Sequence, residues 1–330
     1  MALVVNGRYM DRPVTGVERY AAAIASLLAE EADHRVERPQ GVTTGHAWEQ
    51  LVLPMRLNKG DVLLSLANTG PVSVHKQVLA IHDLAFLEHP EWFKASFARW
   101  YRWLLPRLAR RVAQVITPSE DVRASIIRTL GVDEDRITVV PPFLLPVEGS
   151  IPNDPGIGTP YCLIVGSMDT RKRISEAIAW YAAFAEPAFR LVWVGRPGRA
   201  FAHEPVGHVK GLVHLTDVDD ARLSALYQGA IALIQPTCYE GFGLTLLEAM
   251  QHGCPVIATD LPVFRESFGD AVLYADIAAP NALDRSLAQL ASPSFRTDRI
   301  ARGRAVAATF TRERTRTALR TVLDPLLNTA

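Results

Sequence analysis

Residues 238–259 read CYEGFGLTLLEAMQHGCPVIAT. An apolar run at 231–237, IALIQPT, leads into them as a strand. Tyr239-Glu240-Gly241-Phe242-Gly243 then forms a turn. The spacing of Leu244, Leu247, Glu248 and Met250 predicts a helix directly after it. Gly253 and Pro255 separate that helix from a second apolar strand, PVIAT. Strand, turn, helix and strand in this order form a parallel α/β unit.

Such a turn is suited to an anion. The free N–H groups and the positive end of the helix dipole converge on one spot, and Gly241 and Gly243 admit a ligand close to the backbone. Glu240 and Glu248 flank that spot and would repel a phosphate. They are matched instead to vicinal hydroxyls, because a carboxylate accepts two hydrogen bonds at once. Phosphate and polyol recognised together point to a nucleotide sugar. An ordinary βα turn with a solvated glutamate on each side accounts for the same residues, and both readings stand at this point.

At 330 residues the chain has room for two domains, and 48% hydrophobic residues supply their cores. Its 35 basic and 35 acidic side chains cancel, which argues against a bulk nucleic-acid binder. Cys162, Cys238 and Cys254 have neither metal nor disulfide spacing; Cys162 and Cys254 lie in apolar strands and are expected as buried thiols, which fits a reducing cytoplasm. MALVVNGRYM lacks the basic-then-apolar order of a signal peptide, and no apolar run is long enough to cross a membrane.

The first half alternates strand and helix. A strand at 1–6 is followed by the loop GRYMDRPVTG and a helix at 17–30, which Thr15 or Gly16 could cap. The loop lies where parallel sheets bind ligands, making Arg8, Thr15 and Gly16 candidates to line a site. Residues 31–60 show little regularity. Strands follow at 61–66, ending in the turn Ala67-Asn68-Thr69-Gly70-Pro71, and at 77–81, delivering His82-Asp83 to a strand end. Residues 93–115 are helical in pattern, with Pro106 expected to bend or split them. Between 97 and 111 Trp100 and Trp103 mingle with Arg99, Arg102, Arg107, Arg110 and Arg111, with no acid. That stretch is either a helix for an anionic membrane surface or a core helix with a solvated basic face. A strand at 114–117, QVIT, leads to Ser119, which is placed to cap the next helix, and a further strand follows at 137–140. Residues 146–160, rich in proline and glycine, read as a linker.

The second half repeats the alternation: strands at 161–166, 189–195, 209–213, 231–237, 255–259 and 271–274, with helices between them and three helices at the end. The pattern predicts an α/β protein of two doubly wound parallel sheets. The domains would be 1–145 and 161–310, with a helix at 311–330 that could pack back on the first. Ligands would bind at the strands' carboxyl ends.

Several stretches resemble the retaining glycosyltransferases of family 4, which have the GT-B fold of two Rossmann-like domains. In the second half they are VGSMDTRKR at 165–173, LVWVGRPG at 191–198, LSALYQGA at 223–230 and YEGFGLTLLEAMQHGCPVIATD at 239–260. The first half is similar to a bacterial mannosyltransferase-like branch through NGRYMDRPVTGVERY at 6–20, ANTGP at 67–71 and IHDLAFLEHPEWF at 81–93. The resemblance implies a nucleotide-sugar donor, with GDP-mannose favoured, and a saccharide or lipid-linked saccharide acceptor in surface polysaccharide synthesis. It implies no cofactor and no metal, and a cytoplasmic protein that could sit peripherally on the inner membrane face. It assigns Glu240 to the transferred sugar, Glu248 to the ribose, and Phe242, Gly243, Leu244 and Thr245 to the sugar and distal phosphate. Lys172 and Arg171 would neutralise the diphosphate, His82 would contact the sugar, and Gly16 would let the first loop approach the phosphate. Gly241, Gly195 and Arg196 join the donor side; Arg8, Asn68 and Asp83 are the acceptor-side candidates. Three departures stand out. Ser167 occupies a position where many members carry Arg, Pro141-Pro142-Phe143 replaces a common Pro-Asn-Gly, and LVHLTD at 212–217 lacks the usual glycine. A GT-B sugar-nucleotide epimerase or hydrolase, or a non-catalytic nucleotide-sugar-binding protein, would share the donor features.

Overall fold

The structure, a computed structural model, describes all residues except 1, 32–33, 41–42, 159, 185, 197–208, 280 and 329–330. It divides into two compact units: Met1–Glu88 with Ser96–Leu145 and Phe310–Ala330, and His89–Ala95 with Pro146–Thr309. The proline-rich stretch expected as a linker therefore sorts with the second unit. Burial explains this, since Ile157 is 5% exposed and its carbonyl accepts a hydrogen bond from Arg190 at 3.1 Å.

The first unit is built on a six-stranded parallel sheet in the order β2-β1-β3-β4-β5-β6. Its strands are β1 (Leu3–Asn6), β2 (His34–Glu37), β3 (Val62–Ser65), β4 (Gln77–Ala80), β5 (Gln114–Thr117) and β6 (Ile137–Val139). β1, β3 and β4 are buried throughout, as strands covered on both faces must be. β2 lies in the region the sequence left irregular. It is an edge strand of mixed polarity, HRVE, and carries no alternation to betray it. At the start of helix Gly16–Glu31 the Glu18 side chain reaches back one turn, accepting the Thr15 N–H at 3.1 Å and the Thr15 hydroxyl as well. Ser119 caps Glu120–Leu130 as its position predicts, accepting the Val122 N–H at 3.3 Å, and Gly131 ends that helix at φ +61°.

The helix expected over 93–115 runs only from Ala95 to Arg111, because Gln114 onward is drawn into β5. Pro106 does not split it: Tyr101, Leu104, Leu105 and Leu108 bury one continuous face on both sides of the ring. The last helix, Arg312–Asn328, closes this unit. Leu319, Val322 and Leu323 enter the same core as Val5, Tyr20, Ile24 and Leu64, and the Thr315 hydroxyl donates to the Pro141 carbonyl at 2.7 Å.

The second unit's sheet has the order β12-β11-β10-β7-β8-β9, all parallel. Its strands are β7 (Tyr161–Val165), β8 (Arg190–Val194), β9 (Leu212–Leu215), β10 (Leu233–Gln235), β11 (Val256–Ala258) and β12 (Val272–Tyr274). The direction of strand progression reverses between β7 and β10. In a doubly wound sheet the loops leaving such a pair diverge and leave a crevice. Those loops are 166–173 and 236–243, and each carries residues singled out from the sequence.

Candidate active site

Two loops of the second unit meet at the switch point. After β7, Asp169 caps a single turn, Thr170–Lys172, by accepting the Lys172 N–H at 3.2 Å. The Asp169 side chain is 1% exposed, and its other oxygen accepts the Ser167 hydroxyl at 2.9 Å. Arg171 lies 3.6 Å from the same carboxylate. Burial pushes the Asp169 carboxyl above its ordinary value, against the opposing pull of Arg171 and Lys172. Ser167, where an arginine was the family expectation, thus anchors the residue that orients the two remaining cations.

The second loop locks onto the first. The Arg171 carbonyl accepts both the Thr237 hydroxyl at 2.9 Å and the Cys238 N–H at 2.8 Å. This brings Glu240 to Lys172, and the two side chains form an ion pair with only 13% and 14% of their surfaces exposed. Gln235 donates its amide to the same Glu240 oxygen at 3.3 Å. Gly243 then begins the helix Leu244–Gln251 at φ +105°. A Cβ there would lie 2.7 Å from the Phe264 ring and 3.2 Å from Phe268, so space and backbone both require glycine. The helical ladder begins with Leu246 and Leu247 donating to the Gly243 carbonyl, with the amides of Leu244 and Thr245 ahead of it. Gly241 and Phe242 form the buried turn between Glu240 and that helix. One turn on, Glu248 accepts the Tyr227 hydroxyl at 2.9 Å.

Beside this centre, Gly195 follows β8 directly. A Cβ on Gly195 would sit 1.8 Å from the Gly166 carbonyl, so the ends of β7 and β8 approach too closely for any side chain. His214 stacks on Trp193 at 3.7 Å and donates its Nε2–H to the Gly195 carbonyl at 2.9 Å. Arg196 pairs with Asp217 at the exposed edge. Pro197, Gly198 and Arg199, which continue that loop, lie outside the described residues. On the other side of Glu240, Tyr239 meets His89 and Trp92 edge-on at 5.7 and 6.0 Å, and those two rings stack at 4.0 Å.

The first unit gathers its candidates at the carboxyl ends of β1, β3 and β4. Arg8 is 8% exposed, and its guanidinium is committed to Glu49 at 3.0 Å and to the Thr69 hydroxyl. Asn6 donates to Glu49 as well, at 2.8 Å. Burial alone would raise the Glu49 carboxyl, but His46, Arg8 and Asn6 outweigh it and hold it below the ordinary glutamate value. Asn68, left-handed at φ 60°, accepts the His82 N–H at 2.7 Å. The His82 ring is bonded through Nε2 to the Leu66 carbonyl at 2.8 Å and meets Tyr20 edge-on. Burial lowers its pKa, so the ring is neutral near pH 7, with Nε2–H donated to Leu66 and the lone pair on Nδ1. Asp83 accepts the Ala85 N–H at 3.1 Å and so caps the short helix Ala85–Glu88. Gly16 opens the helix that follows β1.

Asp169, Gln235, Thr237 and Glu49 escaped the sequence reading. Asp169 had a signal in its three-residue spacing from Lys172, and Gln235 in being polar inside an apolar strand. Glu49 had none, since it lies in the irregular region and acts through contacts 41 and 43 residues away.

The family model described as "Glycosyl transferases group 1" matches residues 151–305, and the one described as "Glycosyltransferase Family 4" matches residues 65–144. The O-antigen chain mannosyltransferase RfbU of Salmonella typhimurium is 27% identical over 237 residues, covering 69% of this chain and 64% of that protein. O-antigen chain mannosyltransferase B of Escherichia coli is 28% identical over 263 residues, covering 74% and 68%. The solved structure of sucrose-phosphate synthase from Thermosynechococcus elongatus superposes with a TM-score of 0.72 at 15% identity, covering 100% of this chain and 99% of that one. With both family models matched in order over the two halves, and with two six-stranded parallel sheets, the chain belongs to the family 4, group 1 glycosyltransferases of GT-B fold and is similar to bacterial mannosyltransferases.

Proposed function

We propose that the chain is a retaining glycosyltransferase. It would move mannose from GDP-mannose to a saccharide or lipid-linked saccharide acceptor in the synthesis of a surface polysaccharide. One observation carries this reading: Lys172, Arg171, Glu240 and the N-terminus of helix Leu244–Gln251 converge at the switch point of the second sheet. Cations and helix amides suit a diphosphate, and a carboxylate beside them suits sugar hydroxyls. The mannosyltransferase names of the relatives favour mannose as the sugar.

In the reaction, the bond between the anomeric carbon and the diphosphate oxygen breaks, and its electron pair leaves with the nucleoside diphosphate. Lys172, Arg171 and the amides of Gly243, Leu244 and Thr245 stabilise that charge. The acceptor hydroxyl attacks the same face, and its proton passes to the departing phosphate oxygen, so configuration is kept without an enzymic nucleophile. Glu240 positions the sugar, Glu248 takes the ribose hydroxyls, and His82 acts on the donor sugar as a neutral ring. No metal is required in this scheme. The acceptor is assigned to the first unit, with Asn68 and Asp83 as its candidate contacts. Arg8 enters only as the support of its loop, since its guanidinium is already paired with Glu49.

Contact with the inner membrane face is proposed for helix Ala95–Arg111. Arg99, Arg102, Trp103, Arg107, Arg110 and Arg111 are exposed on it, opposite the buried apolar face. Among the described residues no helix is long and apolar enough to cross a membrane.

Thermal unfolding with GDP, UDP, dTDP or ADP tests the donor side. GDP at a hundredfold excess over its Kd should stabilise the protein by about 2.7 kcal/mol. If no nucleoside diphosphate raises the midpoint, the donor site is wrongly assigned. Transfer should persist in a chelator, and proton NMR of the product should show retained configuration. Rapid donor turnover with no acceptor present would point instead to a hydrolase or epimerase.

A further inference from the structure

Gln235 is the last residue of β10, 2% exposed, in a strand whose other residues are leucine and isoleucine. Its backbone serves the sheet, with its carbonyl accepting the Thr259 N–H at 3.1 Å. Its side chain does something else. Nε2 donates to Glu240 Oε1 at 3.3 Å, while Oε1 is buried with no hydrogen-bond partner among the described residues. An unpaired buried amide oxygen is costly, and an apolar side chain of the same length would avoid that cost. The amide is therefore explained by what its nitrogen holds.

We infer that Gln235 is a positioning residue for the donor sugar, acting through Glu240. Lys172 and Gln235 fix one oxygen of the Glu240 carboxylate from two sides. The second oxygen is thereby presented at a set angle to sugar hydroxyls. When a diphosphate draws Lys172 away, Gln235 is the donor that keeps Glu240 in place. Gln235 thus matters to the sugar and not to the nucleotide. This inference rests on the proposed role of Glu240 as the sugar contact.

The test is the ratio of Kd for GDP to Kd for GDP-mannose, measured by calorimetry, with UDP and UDP-glucose run in parallel. The pair that binds the natural sequence is the one used. The ratio isolates the sugar's share of binding. Gln235→Met should lower it about tenfold while GDP affinity holds. Gln235→Glu, which keeps the length but sets a carboxylate beside Glu240, should lower it further and serves if the methionine variant fails to fold. In a Glu240→Gln background, Gln235→Met should change nothing more, since the two act as one unit. Equal weakening of GDP and GDP-mannose would mean a merely structural glutamine and would overturn the inference. So would an unchanged ratio in Gln235→Met while Glu240→Gln loses it. If Glu240→Gln itself keeps the ratio, or the natural protein binds no nucleotide sugar, the reading of the donor site falls and takes the inference with it.

Discussion

Lys172 and Glu240 form an ion pair although 68 residues separate them in sequence. Each lies in the loop that follows a strand flanking the switch point of the second sheet, and each is held by a buried neighbour, Asp169 for the lysine and Gln235 for the glutamate. A diphosphate would take the lysine, and a sugar would take the glutamate.

Breaking this pair from either side should separate two functions. Lys172→Ala should lower transfer about a hundredfold or more through lost charge stabilisation and should weaken GDP binding. Glu240→Ala should lower transfer comparably yet leave GDP binding near its starting value. Steady-state kinetics alongside calorimetry checks both. Nearly unchanged transfer in either variant removes that residue's assigned role.

Gly243→Ala should destabilise the second unit. Its φ of +105° is strained for alanine, and the new methyl would press on Phe264 at 2.7 Å. Strain and overpacking together cost on the order of 2–5 kcal/mol. Urea unfolding followed by tryptophan fluorescence would show the midpoint falling, and an unchanged midpoint would contradict the packing described.

The Glu49 network should make the first unit sensitive to acid. Its folded pKa lies below the ordinary 4.5, so its contribution is present above that value and is lost as pH falls through the folded one. Glu49→Gln should flatten the acid limb of a stability–pH curve. Arg8→Ala should cost about 3–5 kcal/mol at neutral pH, because it leaves a buried carboxylate without its cation. Urea midpoints between pH 3 and about 7 would measure both.

His82 should add a second slope. Burial lowers its pKa from 6.5, so below that value the unfolded chain takes up a proton that the folded chain refuses. Stability falls with pH from about 6.5 until the lowered value is reached. His82→Gln should abolish this slope, and a slope that survives the substitution would show that another group produces it.

Helix Ala95–Arg111 should bind vesicles containing anionic lipid and release them at high salt. Replacing Arg99, Arg102 and Arg107 with alanine should reduce flotation with such vesicles and leave the unfolding midpoint nearly unchanged, since all three are exposed. Equal flotation with neutral and anionic vesicles would count against a membrane role.

Much of this was legible in the chain alone. Apolar runs bounded by Gly and Pro located nearly all the strands, and the turn Glu240-Gly241-Phe242-Gly243 marked a helix N-terminus, because both are local properties. Strand β2 was not legible, since an edge strand of polar residues has no periodicity to reveal it. The strand at 114–117 was legible, and it ends helix Ala95–Arg111 short of the helical pattern that runs to 115.

Two alternating α/β halves, and the residue types suited to a phosphate and a sugar, follow from local patterns in the chain. How those residues are arranged follows from the folded sheets. Strand order put the loops after β7 and β10 together, and so joined Lys172 to Glu240. Burial turned Arg8 from a candidate ligand contact into an internal partner of Glu49 and gave Asp169 and Gln235 their supporting work. The physical reason is that hydrogen bonds and desolvation depend on which groups are neighbours in space, and strand order, not spacing along the chain, sets that.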